Sequence, residues 1–211
     1  EIGTGPQTTS HDFFHRSQRS YFNTTVFFYP NKTKYVDWVS RALNHNAEFA
    51  INVIRQLAAF GWFNFKQISF FADCGPHFRN AEMLYYLFHE LSETHDVNLN
   101  FFCEKHGKSI CDSHFSYVSD WLNRITDRVF LRSTEQTVKE LNECIKSNSI
   151  GKLPSEILDA EVYEFEYLSA AVHKTLHVKN IKTYLSFKKD MGEPLMGRVL
   201  STSQAGNNWI P

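Results

Sequence analysis

Two apolar runs, each ending in a cluster of polar residues and separated by one helical segment, constrain the fold of this chain most. Ile68-Ser-Phe-Phe-Ala72 ends on Asp73 and leads into Cys74-Gly-Pro-His-Phe-Arg-Asn80. Val97 to Cys103 opens into His106-Gly-Lys-Ser-Ile-Cys-Asp112. Short, near-continuous apolar runs are the pattern of strands buried on both faces. Between them, Phe78 to Leu91 carries Phe78, Met83, Leu84, Leu87, Phe88 and Leu91 at helical spacing. Ile110 to Ile125 repeats that periodicity with Phe115, Val118, Trp121, Leu122 and Ile125. Strand, helix, strand, helix from Phe65 to Ile125 predicts parallel strands joined by helical crossovers. In an open α/β sheet, ligands and metals bind at the carboxyl edge of such strands.

The rest of the chain supports that edge. Tyr21 to Tyr29 has strong β composition and stops at Pro30, whereas Lys34 to Leu43 suits either a strand or a short helix. Asn46 to Phe60 is amphipathic, and Gly61 is placed to end it as a helix C-cap would. Thr134 to Ser147 predicts a further helix, with Thr134 as its N-cap. After Gly151, Val162 to Leu168, Val178 to Phe187 and Pro194 to Leu200 read as short β-segments separated by polar turns. The expected class is α/β: a mixed sheet flanked by helices over residues 1–150, with a β-rich C-terminal extension or subdomain over 151–211.

Composition narrows the function. At 211 residues the chain can bury a substantial core, and its 19 phenylalanines favour an aromatic-rich one. Basic and acidic residues nearly balance, 22 against 23, so any nucleic-acid surface must be a local patch. The four cysteines (Cys74, Cys103, Cys111, Cys144) form no Cys-x-x-Cys pair and fit the thiols of a reducing compartment. The sequons at Asn23 and Asn31 would matter only in a secreted chain. No signal peptide or membrane-spanning run is legible, and the chain opens on Glu1 rather than Met, as expected of part of a longer protein. No Gly-rich phosphate loop or nucleophile elbow points to a small-molecule enzyme.

Asp73 at a strand end and Asp112 at a helix start are hard oxygen donors that suit Mg²⁺ or Mn²⁺. Metal ions held by carboxylates serve phosphodiester chemistry by activating a hydroxyl or water and stabilising the leaving oxygen. His106 and Lys108 are placed to meet a phosphate, and Arg79, Lys105, Arg124, Arg128 and Arg132 make the surroundings basic. A plainer reading stands beside this one. An Asp after a strand is often a turn-former or N-cap, and scattered basic residues often make a solvated mixed-charge face. Cys111 could pair with His106 or His114, but the sequence supplies no third orienting group.

Asp73-Cys-Gly-Pro-His-Phe-Arg-Asn80, then a strand, then His106-Gly-Lys-Ser-Ile-Cys-Asp112-Ser113 resembles eukaryotic transposon-derived proteins with an RNase H-like, DDE/D-type transposase or integrase core. The resemblance spans Tyr21 to Arg124. It implies that Asp73 and Asp112 are the second and third metal-binding carboxylates, with Mg²⁺ or Mn²⁺ as cofactor. The first carboxylate is then expected upstream of the Gly5-Pro-Gln7 linker. Ser113 stands where that group has glycine. The resemblance further implies a nuclear setting and a DNA partner. A domesticated, catalytically silent core that docks other nuclear proteins or DNA is the alternative it leaves open.

Overall fold

The computed structural model describes residues 20–28, 32–43, 46–102, 110–149, 151, 158–167 and 174–199. They form a mixed α/β structure that divides into two units. One comprises Glu1–Asn44 with Lys108–Tyr167, and the other comprises His45–Gly107 with Leu168–Pro211.

The first unit is built on β2 (Lys32–Ser40), the central strand of a three-stranded sheet. β1 (Ser20–Phe28) runs antiparallel to one side of it, and β5 (Ala160–Glu164) runs parallel to the other. The segment that suited either a strand or a short helix is thus a strand, and Val36 to Ser40 is buried without a break. That is the burial of a strand covered on both faces. α3 (Ile110–Thr126) and α4 (Thr134–Asn148) contribute Val118, Trp121, Ile125, Leu141 and Ile145 to a core shared with Val39, Ala160 and Val162. β5 is an edge strand whose outward peptide groups need partners. Asn142 of α4 supplies them: its Nδ2 donates to the Val162 carbonyl at 2.8 Å, and its Oδ1 accepts from the Val162 amide at 3.1 Å. The N-cap of α4 is Ser133, whose Oγ accepts from the Gln136 amide at 3.0 Å, and not Thr134 as the sequence suggested. Thr134 is instead fully buried, its hydroxyl donating to the Glu164 carboxylate. One position of register decides which of two adjacent hydroxyl residues serves as the cap.

The second unit carries a sheet in the order β3-β4-β6-β7. β3 (Gln67–Ala72) and β4 (Asp96–Phe101) are parallel, as the intervening helical segment requires. β6 (Ser186–Lys189) and β7 (Met196–Arg198) extend the sheet antiparallel to β4. The segment after Gly151 therefore supplies β5 to one sheet and β6 and β7 to the other. The β-segment expected from Val178 is interrupted: Asn180 is left-handed (φ 56°), and Ile181–Thr183 forms a 3-10 turn before β6 begins. β3 is an edge strand and not one buried on both faces. Its alternate residues are open, with Phe71 64% exposed.

α1 (Ala47–Ala59) begins at Asn46, whose Oδ1 accepts from the Phe49 amide at 3.0 Å. It ends in a Schellman turn. Gly61 (φ 76°) donates to Ala58, and Trp62 donates to Leu57. α2 (Ala81–Tyr85) starts at Ala81 instead of Phe78, because Asn80 caps it by accepting from Met83 at 2.8 Å. It continues through a π turn, Tyr86–Glu90, and a 3-10 turn, Leu91–Glu93.

The core of the first unit yields a stability prediction. Leu141 is completely buried, so Leu141→Ala should lower the unfolding free energy by about 2–5 kcal/mol in a urea titration, whereas Lys139→Ala on the same helix should change it by less than about 0.5 kcal/mol.

Candidate functional site

Asp73 follows β3 directly and sits, exposed, at the carboxyl edge of the parallel β3–β4 pair. Its Oδ1 accepts from the Gly75 amide at 2.8 Å, an Asx turn that fixes one face of the carboxylate. Gly75 lets the Asp73 and His77 side chains approach its backbone closely. A Cβ would lie 2.7 Å from Asp73 Oδ1 and 2.8 Å from the His77 ring. The Gly75 carbonyl then accepts from both the Phe78 and the Arg79 amides, at 3.1 and 2.9 Å. Cys74 Sγ donates to the Phe102 carbonyl at 3.1 Å, tying the loop to the end of β4. Arg79 turns inward: its Nη2 donates to the carbonyls of Lys182 and Tyr184, and its guanidinium lies over the Phe101 ring at 5.4 Å. The stretch Asp73–Asn80 is therefore a loop closed on itself through Asp73 and Gly75 and tied to residues outside it through Cys74 and Arg79, with Arg79 Nε buried and without a hydrogen-bond partner among the described residues.

Asp112 lies in the first turn of α3, exposed, where a carboxylate is favoured by the positive end of the helix dipole. Its helix is held in the first unit by a pair of residues that are both buried. His114 is 1% exposed and Asp37 is 0% exposed, and His114 Nε2 donates to Asp37 Oδ2 at 2.8 Å. Tyr35 stacks on the imidazole at 4.3 Å with an 11° tilt, and Trp121 presents an edge contact at 5.9 Å. Burial pushes the Tyr35 phenol above its ordinary value, with further upward contributions from Cys111 and Tyr117. Nε2 is committed to Asp37, and the opposite ring nitrogen, Nδ1, is buried. It has no hydrogen-bond partner among the described residues.

Sequence reasoning did not single out Asp37. The available signal was its setting, Tyr35-Val-Asp-Trp-Val39, because a carboxylate inside an apolar run must find a donor if the run is buried.

Of the remaining candidates, Arg124 is exposed in the last turn of α3, where a cation complements the helix C-terminus. Lys105, His106 and Lys108 lie outside the described residues. Asp73 belongs to one unit and Asp112 to the other. No group of three or more His, Cys, Asp or Glu side chains is gathered as a metal cluster among the described residues. No helix among them is long and apolar enough to cross a membrane.

A family model described as "Domain of unknown function (DUF8701)" matches residues 7–201, and the chain belongs to that family. No curated protein and no solved structure matches it.

The Asx turn separates two roles of Asp73. Asp73→Asn keeps an oxygen acceptor for the Gly75 amide and should leave thermal stability nearly unchanged, whereas Asp73→Ala should cost about 1 kcal/mol in a denaturant titration. Equal losses in the two variants would show that the turn does not depend on that acceptor.

Proposed function

We propose that this member of the family is an RNase H-like domain of transposase descent that acts on DNA by metal-dependent phosphodiester cleavage or strand transfer. The observation that carries the reading is the position of Asp73: an exposed, oriented carboxylate at the carboxyl edge of the parallel β3–β4 pair. Ligands of open α/β sheets bind at that edge. The motif Asp73 to Asn80, followed by His106-Gly-Lys to Asp112, adds the resemblance to DDE/D-type cores. The reading places the protein in the nucleus with DNA as its partner.

The donors on hand fit the metal in kind. Asp73 and Asp112 offer carboxylate oxygens, which Mg²⁺ and Mn²⁺ prefer, and Mg²⁺ needs only one or two such ligands beside its waters. When bound, the metal would activate the attacking hydroxyl or water and stabilise the leaving oxygen. The protein's own contribution at Asp73 is orientation, since the Gly75 amide holds one carboxylate oxygen while leaving the group at the surface.

A second reading draws on Arg79, whose guanidinium is spent on the Lys182 and Tyr184 carbonyls instead of being turned outward to a phosphate. This favours a catalytically silent core that docks DNA or another nuclear protein.

Mn²⁺ titration by calorimetry decides between them. The catalytic reading predicts saturable binding that weakens by about tenfold or more in Asp73→Asn and in Asp112→Asn. Absent binding, or binding indifferent to both substitutions, would remove the catalytic reading and leave the docking one.

A further inference from the structure

We infer that His77 joins Asp73 as a cation ligand, and that the pair selects a first-row transition ion such as Mn²⁺ or Co²⁺ over Mg²⁺. The inference deepens the metal-binding role proposed above for Asp73 and rests on it. It needs nothing outside the second unit.

Gly75 lets the two side chains meet. Asp73 Oδ1 and the His77 ring converge on one point beside its backbone. A Cβ at that point would lie 2.7 Å from the carboxylate oxygen, 2.8 Å from His77 Cε1 and 3.2 Å from His77 Nδ1. Asp73 Oδ1 accepts from the Gly75 amide, whereas Oδ2 makes no hydrogen bond among the described residues. The His77 ring packs on Phe78 at 4.3 Å, and neither of its nitrogens makes a hydrogen bond among the described residues. The cation of the same loop does not compete for the carboxylate, because Arg79 is turned to the Lys182 and Tyr184 carbonyls. A carboxylate oxygen and an imidazole nitrogen are thus held near one another, with Asp73 exposed so that water can complete the shell of an ion.

Ligand type sets the choice of ion. Mg²⁺ takes oxygen ligands and gives up water reluctantly. Imidazole suits first-row transition ions, whose affinity rises from Mn²⁺ through Co²⁺. His77 therefore adds to the affinity for Mn²⁺ or Co²⁺ and little to that for Mg²⁺. The plainer role of His77 is packing on Phe78, which a phenylalanine ring would serve as well.

Calorimetric titration of the intact chain with Co²⁺ and, separately, with Mg²⁺ tests the pair. His77→Phe keeps an aromatic ring against Phe78 and removes both nitrogens. It should weaken Co²⁺ binding by about tenfold or more while leaving Mg²⁺ binding and thermal stability nearly unchanged. Asp73→Asn should weaken the binding of both ions. Co²⁺ binding indifferent to His77→Phe overturns the ligand role of His77, and the metal reading of Asp73 survives if Asp73→Asn still weakens binding. Equal losses of Co²⁺ and Mg²⁺ affinity in His77→Phe overturn the selection. Co²⁺ binding indifferent to Asp73→Asn, or no binding of either ion, overturns the pair and the metal reading of Asp73 together. If Co²⁺ binding weakens in both variants but is indifferent to Asp112→Asn, the His77–Asp73 site stands and the reading that joins Asp73 to Asp112 fails.

Discussion

A buried hydrogen bond joins the helices of the first unit to its central strand, between His114 of α3 and Asp37 of β2. Removing a carboxylate from water costs several kcal/mol unless donors replace the lost hydration. Asp37 sits in the middle of the central strand with no exposure, so the fold must bring it a donor. His114 supplies one such donor, from the face of α3 that is turned to the core. With His114 turned to the sheet, Val118, Trp121 and Ile125 point the same way at helical spacing and enter the core with Leu141 and Ile145. The opposite face, including Asp112, is left to solvent.

The second unit solves a different problem by similar means. The loop after β3 follows an edge strand, where peptide groups have few neighbours. The loop closes on itself through Asp73 and Gly75, and it is tied to later parts of the chain through Cys74 and Arg79. A loop built this way can hold a carboxylate at the surface in a set orientation, as a metal site would need. The same bonds also give Asp73, Cys74 and Arg79 a structural reason to be there. Residue identity alone therefore does not separate catalysis from architecture at Asp73, whereas an Asn substitution that keeps the acceptor and removes the charge does.

The local elements were largely legible in the sequence. The helices at Ala47–Ala59 and Ile110–Thr126 begin and end within a residue of the bounds expected from the sequence. The parallel pairing of β3 and β4 followed from the helix between them. Legibility failed where one residue or a distant partner decides the outcome. Asn80 starts α2 late because its side chain satisfies the Met83 amide, and Ser133 takes the cap that Thr134 could have taken. The long β reading from Val178 overlooked Asn180, a residue type that tolerates the left-handed turn found there. The Asp37–His114 pair joins residues 77 positions apart, a separation no periodicity reveals. At Asp73 the sequence left the turn-forming and metal-binding roles open together, and the Asx turn establishes the first of them.

The most direct test of this account is the state of the His114 ring, read by ¹⁵N NMR of its two nitrogens and by solvent exchange of the ring proton. The account predicts a proton held on Nε2, donated to Asp37 and slow to exchange with solvent. A ring whose Nε2 carries no proton in the folded protein, or whose Nε2 proton exchanges rapidly, would contradict it.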